Sequence, residues 1–251
     1  MNAFIYAAGR ASRLGAISKG RHKMLLPFGG KSLLEWHAIR LRESGVSKIF
    51  VITGHLREQL VEEMSLITRR HGIPCEEIFN PDFQEGSILS MAVSIPKLES
   101  IHPFVLLLDG DVLYDTRMLR RLIDSKHPSV LLIDRGYSCA DDDPVLVPIL
   151  NGRPVDFVKR WRGDSDEIGE SIGFFKLDAQ DIPILAKETR ARQTGAGRMD
   201  SYDDALRAMV KSGVFMHEDV TGIPWTEIDF PEDIDFALNT VLPKLLPPNA
   251  G

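Results

Sequence analysis

Cysteine is nearly absent from this chain. Cys75 and Cys139 are the two in 251 residues, too few for a disulfide framework and without metal-ligand spacing. Both read as inert, apolar positions. No apolar run approaches the length of a membrane span, and no basic segment followed by an apolar core opens the sequence. A cytoplasmic protein with no membrane partner is the expectation. Basic excess is also lacking: 30 Lys and Arg stand against 36 Asp and Glu, a formal charge of −6, which argues against nucleic acid as the main partner. The seven histidines show no H-x-x-x-H spacing, so none is assigned a role. Internal repeats, low-complexity tracts and clear linkers are missing as well.

What is present suits one α/β domain over residues 1–251. With 43% hydrophobic residues the chain can bury a full core. Apolar runs at 3–8, 49–53, 104–108 and 130–133 predict buried parallel strands. A helix is expected over 32–44, with Ser32 and Glu35 spaced as a capping box and Gly45 as its stop. A second runs over 57–70, ended by Gly72. Short strand-like runs at 144–150, 154–159 and 171–177, with Asn151-Gly152 as a hairpin signal, predict an antiparallel subregion over the crevice. Helices near 178–188 and 201–212 follow. A last strand at 214–219 or 225–229 precedes a helix from Pro231, and the tail from residue 246 is expected to fray.

The segment AAGRASRLG at 7–15 directly follows the first strand. Small residues at Ala7, Ala8, Gly9 and Ala11, with the Ser12 hydroxyl, let a backbone approach a phosphate chain, and Arg13 and Lys23 supply charge. Two familiar phosphate motifs fail. Ala11 and Leu14 stand where the dinucleotide fingerprint needs glycines, and Leu25 replaces the first glycine of a Walker A loop around GGKS. An ordinary strand-to-helix turn remains an equal reading of AAG alone.

Taken together, AAGRASRL, the K-x-L-L at Lys23–Leu26, GGKSLLEWHAIRLRESGVSKIFVITGH, LLLDGDVLYD and WTEIDFPEDIDFA resemble, in order, the signature of the nucleotidyltransferases that make activated sugars and alcohols from a nucleoside triphosphate. Ala11 departs from that family's usual glycine. The resemblance implies a three-layer Rossmann-like, mostly parallel sheet of GT-A-like kind. Its nucleotide-binding half lies at roughly 1–135, a small antiparallel acceptor-binding subregion at 136–230, and a C-terminal helix and tail at 231–251. NGRPVDFVKR and GESIGFFKLD resemble the subgroup that transfers cytidylyl groups to phosphocholine, aminoethylphosphonate or inositol phosphate.

The residues themselves point to separate parts of such a site. Asp109 and Asp111 share one strand face, and a hard dication needs only one or two protein carboxylates when phosphates supply other oxygens. The resemblance selects Asp111 as the Mg²⁺ ligand. Spacing alone makes Asp229 an N-terminal cap for the helix at Pro231; the resemblance makes it the second metal carboxylate, with Glu227 nearby. Gly86 and Ser87, opening an apolar helix, read either as its start or as the approach to the base or ribose. Lys159, Arg160 and Arg162 around Trp161 form a solvated face or an acceptor pocket. In the pocket reading Lys159 meets an anionic group, while Glu170, Trp161 and Trp225 meet a cationic or polar head.

The resemblance then implies Mg²⁺-dependent joining of CTP to a small phosphorylated or phosphonate acceptor with release of pyrophosphate. Arg13 and Lys23 stabilise the leaving charge, and a homodimer is compatible with the sequence. A sugar-1-phosphate nucleotidyltransferase using UTP, dTTP or GTP, and a non-catalytic nucleotide-sensing module, are the alternatives. Retention of Arg13, Lys23, Asp111 and Asp229 argues against the last.

Overall fold

The computed structural model describes residues 1–10, 13–15, 20–136 and 144–246. The expectations placed on Ala11, Ser12, Cys139 and the tail beyond Leu246 lie outside the described residues. The chain runs β1 (Asn2–Tyr6), a 3-10 turn (Lys23–Leu25), β2 (Pro27–Phe28), β3 (Lys31–Ser32), α1 (Leu33–Glu43), β4 (Lys48–Thr53), α2 (Arg57–His71), β5 (Cys75–Phe79), α3 (Ile88–Leu98) and β6 (Phe104–Asp109). It continues through β7 (Val112–Tyr114), α4 (Thr116–Asp124), β8 (Val130–Asp134), β9 (Leu146–Leu150), β10 (Arg153–Pro154), β11 (Glu167–Asp178), α5 (Ile182–Arg192) and α6 (Tyr202–Lys211). β12 (Met216–Asp219), β13 (Trp225–Glu227), α7 (Pro231–Phe236), a π-helical turn (Ala237–Val241) and α8 (Leu242–Leu245) complete it.

The sheet is ordered β10-β9-β11-β6-β1-β4-β5, with β8 beside β11 and β12 beside β8. β6, β1, β4 and β5 are parallel neighbours, and β11 closes this block antiparallel to β6. From β1 the chain steps outward to β4 and β5, then returns to the other side of β1 as β6. This reversal opens a crevice at the carboxyl ends of β1 and β6, where open α/β sheets bind ligands.

Alternation along β1 divides the core. Ala3 and Ile5 face a cluster with Leu34 of α1, Leu60 of α2 and Leu119 of α4, whereas Phe4 faces Leu89 of α3, Leu185 of α5 and Leu206 of α6. Helices therefore cover both faces, as continuous apolar strands require.

Several local expectations hold with changes. Ser32 caps α1 by accepting from the Glu35 N–H, but the Glu35 carboxylate pairs with His71 at 2.8 Å instead of closing the box. Gly45 and Gly72 end α1 and α2 as expected. Asn151 and Gly152, at φ 51° and 73°, make the β9–β10 hairpin. The strand expected over 154–159 is reduced to Arg153–Pro154 and one bridge between Leu146 and Val158. Pro154 cannot extend a ladder, and Asp156 turns its carboxylate to Arg207. The apolar run at 130–133 is parallel to β12 but antiparallel to β11. Both candidate last strands form, as β12 and β13.

Candidate active site

A cleft of about 960 Å³ opens at the carboxyl ends of β1 and β6, lined on one side by Ala7, Ala8 and Gly9 and on the other by Asp109 and Asp111. A Cβ on Gly9 would meet open space, so this turn presents bare backbone to the cleft. Gly110 has the opposite reason for lacking a side chain. A Cβ there would lie 2.8 Å from both the Met24 sulfur and the Tyr6 carbonyl oxygen. The Gly110 N–H donates to Tyr6 O at 3.1 Å, which fixes the two strand ends to each other.

Residues more than a hundred positions apart meet through β13. It pairs antiparallel with β7, setting Glu227 opposite Val112, and the Ile228 N–H donates to Asp111 O at 2.9 Å. Asp111, Glu227 and Asp229 each bring a carboxylate oxygen within 4.8 Å of the others. Asp229 is not the cap of α7. Asp233 performs that task, accepting from the Asp229 and Phe230 N–H groups at 2.8 and 2.7 Å. The Asp229 carboxylate is thereby left in the cleft.

Lys23 stands between two of these acids, its Nζ 2.7 Å from both Asp111 and Asp229, and Arg13 reaches Asp229 at 2.9 Å. Burial alone would lower the Lys23 pKa, yet the Asp111 and Asp229 charges win and raise it, so the ammonium persists at any physiological pH. Loss of solvent in the cleft, and after it the Asp111 and Asp229 charges, hold the Glu227 carboxyl well above its usual range.

Asp109 behaves differently from Asp111. Its half-buried carboxyl accepts from the Tyr202 hydroxyl; loss of solvent and the neighbouring Asp111 charge push its pKa up. Gly173, at φ 73°, makes room for it, since a Cβ there would fall 2.0 Å from Asp109 Oδ2. Gly173→Ala is therefore expected to lower stability by about 1–3 kcal/mol, from strain and the displaced carboxyl together. An unchanged melting temperature would remove this packing account.

His22 was given no role from spacing, yet it lines the cleft beside Lys23. Burial, then His55 and Lys23, lower its pKa to about 4, so it is neutral near pH 7. The Met24 N–H donates to its Nδ1 at 3.2 Å, which leaves the ring proton on Nε2. No short-range sequence signal marks it.

The other expected residues separate into two groups. Ser87, Lys159, Glu170 and Trp225 line the cleft. The Trp225 indole N–H donates to Asp134 Oδ2 at 2.7 Å, fixing the ring on the wall. Gly86 and Trp161 are not among the lining residues. The Gly86 N–H donates to Arg198 O at 2.9 Å and its flank is packed against the 198–200 backbone, which makes it a packing position. Trp161 folds back over Gly163, whose Cβ position lies 2.4 Å from the indole. The basic cluster thus contributes Lys159 to the cleft and not its aromatic ring.

The profile of the MobA-like NTP transferase domain matches residues 3–169. The chain belongs to that family. This MobA-like NTP transferase is 29% identical to a bifunctional IPC transferase and DIPP synthase of Rubrobacter xylanophilus, over 96% of the chain and 52% of that protein. It is 28% identical to a CMP-5'-(3-aminopropyl)phosphonate synthase of Streptomyces rubellomurinus, over 93% of the chain and 37% of that protein. The chain thus spans about half or less of these two curated relatives. Among solved structures, the inositol-1-phosphate CTP transferase from T. maritima superposes with a TM-score of 0.78 at 20% identity, covering 97% of this chain and 95% of that one. The expected GT-A-like nucleotidyltransferase fold is the fold observed. No helix among the described residues is long and apolar enough to cross a membrane.

Proposed function

We propose that this domain joins CTP to a small phosphorylated or phosphonate acceptor, releasing pyrophosphate. The observation that carries the reading is the cluster of Asp111, Glu227 and Asp229 with Lys23 between two of them, set opposite the bare Ala7–Gly9 turn in one cleft. The relatives' names support it, since they join inositol phosphate or a phosphonate to a cytidine nucleotide.

An acceptor phosphate oxygen attacks the α-phosphorus, an oxygen–phosphorus bond forms, and the bond to the β-phosphate bridging oxygen breaks with pyrophosphate carrying away the electron pair. A phosphate monoester has its second pKa near about 6, so the nucleophile is already ionised near neutrality and no general base is required. The chain's task is to bring anions together and hold them in line. Arg13 and Lys23 supply fixed positive charge where the leaving group develops negative charge. The Ala7–Gly9 backbone admits the phosphates, and Ser87 borders the nucleoside side.

The donor set fits a hard dication such as Mg²⁺. Its oxygens come from Asp111 and Asp229, with Glu227 as a third carboxylate, and Asp111 Oδ1 is buried without a hydrogen-bond partner among the described residues. A bound Mg²⁺ supplies Lewis-acid polarisation and charge neutralisation at the phosphates.

Lys159 and Glu170 line the same cleft as the fixed Trp225 ring, one suited to an anionic group and the other to an ammonium head. Cation–π contact contributes about 0.5–2 kcal/mol, enough to bias choice between acceptors. The test offers CTP with phosphocholine, 2-aminoethylphosphonate, inositol phosphate or glucose 1-phosphate and reads pyrophosphate release. An amine-bearing acceptor is expected to be preferred over the neutral sugar phosphate, and Glu170→Gln to erode that preference with CTP affinity unchanged. Equal use of glucose 1-phosphate and the amines overturns the amine assignment.

A further inference from the structure

A histidine of helix α1 reaches the backbone that carries Asp111. His37 is 0% exposed, on the face of α1 that otherwise buries Leu33, Leu34, Ala38 and Leu41. Burial pushes its pKa down to about 4, against the opposing pull of the Gly110 carbonyl and Asp111, so the ring is neutral near pH 7. Its Nε2 lies 2.9 Å from the Gly110 carbonyl oxygen. A carbonyl can only accept, so the ring proton is on Nε2 and Nδ1 keeps a lone pair. Among the described residues Nδ1 has no partner, so the Gly110 bond is the one hydrogen bond the ring makes there. Burying a polar ring for a single bond is costly where leucine or phenylalanine would pack. That bond is what the histidine adds.

The Gly110–Asp111 segment is held from three elements. The Gly110 N–H donates to Tyr6 O of β1 at 3.1 Å, the Ile228 N–H after β13 donates to Asp111 O at 2.9 Å, and His37 holds the carbonyl between them. Of these three contacts, that from His37 alone is made by a side chain. The Gly110 carbonyl shares a rigid peptide plane with the Asp111 nitrogen, so fixing it orients the residue from which the Asp111 carboxylate departs. The ring is itself walled in. Tyr114 of β7 lies 5.2 Å from it between centroids and Phe174 of β11 6.3 Å, and those two rings meet edge-on at 4.7 Å. The hold matters because Asp111 brings a carboxylate oxygen within 4.8 Å of Glu227 and Asp229, and like charges at that range push apart.

We propose that His37 is a positioning residue for the metal-binding carboxylate: its Nε2–H fixes the Gly110 carbonyl and so keeps Asp111 aimed at the dication. This rests on reading Asp111, Glu227 and Asp229 as the seat of a dication. A neutral donor suits the place. A cationic side chain there would compete with the dication for the same carboxylate, whereas a neutral imidazole orients the backbone and adds no charge. Outer partners that orient a metal ligand contribute about ten- to hundredfold in metal affinity.

Titration of the purified protein with Mn²⁺, followed by loss of the free-ion EPR signal, tests this without turnover. The wild type is expected to bind Mn²⁺ at a site that Asp111→Asn abolishes. His37→Phe keeps an aromatic ring beside Tyr114 and Phe174 but lacks the donor, and is expected to weaken that site about ten- to hundredfold. His37→Asn places its amide at the level of Nδ1, short of the carbonyl, and weakens the site likewise. His37→Gln sets an amide N–H where Nε2 stood and keeps affinity close to wild type. A merely structural role lowers the melting temperature of the variants and leaves the Mn²⁺ affinity of the folded protein untouched. Imidazole ¹⁵N spectra of the wild type, which need no variant to fold, are expected to show His37 in the Nε2–H form. Wild-type Mn²⁺ affinity in folded His37→Phe or His37→Asn, a His37→Gln as weak as His37→Phe, or an Nδ1–H form overturns the His37 assignment alone. A wild type without an Asp111-dependent Mn²⁺ site overturns the metal reading with it.

Discussion

Lys23→Ala is expected to slow turnover by about a hundredfold or more while the protein remains folded. One preorganised charge aimed at developing negative charge contributes about 2.7–4 kcal/mol to the transition state. Lys23 is well placed for this, with Nζ 2.7 Å from both Asp111 and Asp229. Its removal leaves two like charges adjacent without their shared cation. Asp111 and Asp229 keep 20% and 28% of their side-chain surface in solvent, so water offsets much of that repulsion and the stability loss stays modest. Steady-state kinetics and a thermal melt on the same preparation separate the two effects. Near-normal turnover in a folded Lys23→Ala protein removes Lys23 from the reaction.

Asp111→Asn is expected to reduce Mg²⁺-dependent turnover by about a hundredfold or more, and Asp109→Asn by less than about tenfold. The two acids are neighbours in sequence with different surroundings. Asp111 turns one oxygen to Lys23 and belongs to the three-carboxylate cluster. Asp109 lies half-buried against Tyr202 with its pKa raised, so an amide oxygen that still accepts from the Tyr202 hydroxyl keeps most of what it provides. A Mg²⁺ titration of each variant at saturating nucleotide measures the difference. The reverse ranking would show that the acid before the glycine, and not the one after it, is the ligand.

Strand β1 and helices α1 and α2 were legible because apolar runs, caps and stop glycines are local signals. β5 was not, since Glu76 and Glu77 interrupt its apolar pattern; tertiary partners Lys48 and Arg57 accommodate them. α4 was hidden by its four charged residues, though Met118, Leu119 and Leu122 bury one face. The site divides the same way. Lys23, Asp111 and Asp229 sit in motifs, whereas the approach of Glu227 depends on β13 pairing with β7 across more than a hundred residues. The position of the Trp161 ring was not legible, because an aromatic among cations looks the same in sequence whether its ring faces a cleft or folds over Gly163.

The most direct test follows the label from α-³²P CTP with Mg²⁺ and a phosphorylated or phosphonate acceptor. The account predicts a labelled cytidylyl–acceptor product formed one for one with pyrophosphate, only when both substrates are present, and no label on the protein. Pyrophosphate release without acceptor, label retained covalently by the protein, or no labelled product with any triphosphate and acceptor pair would contradict it.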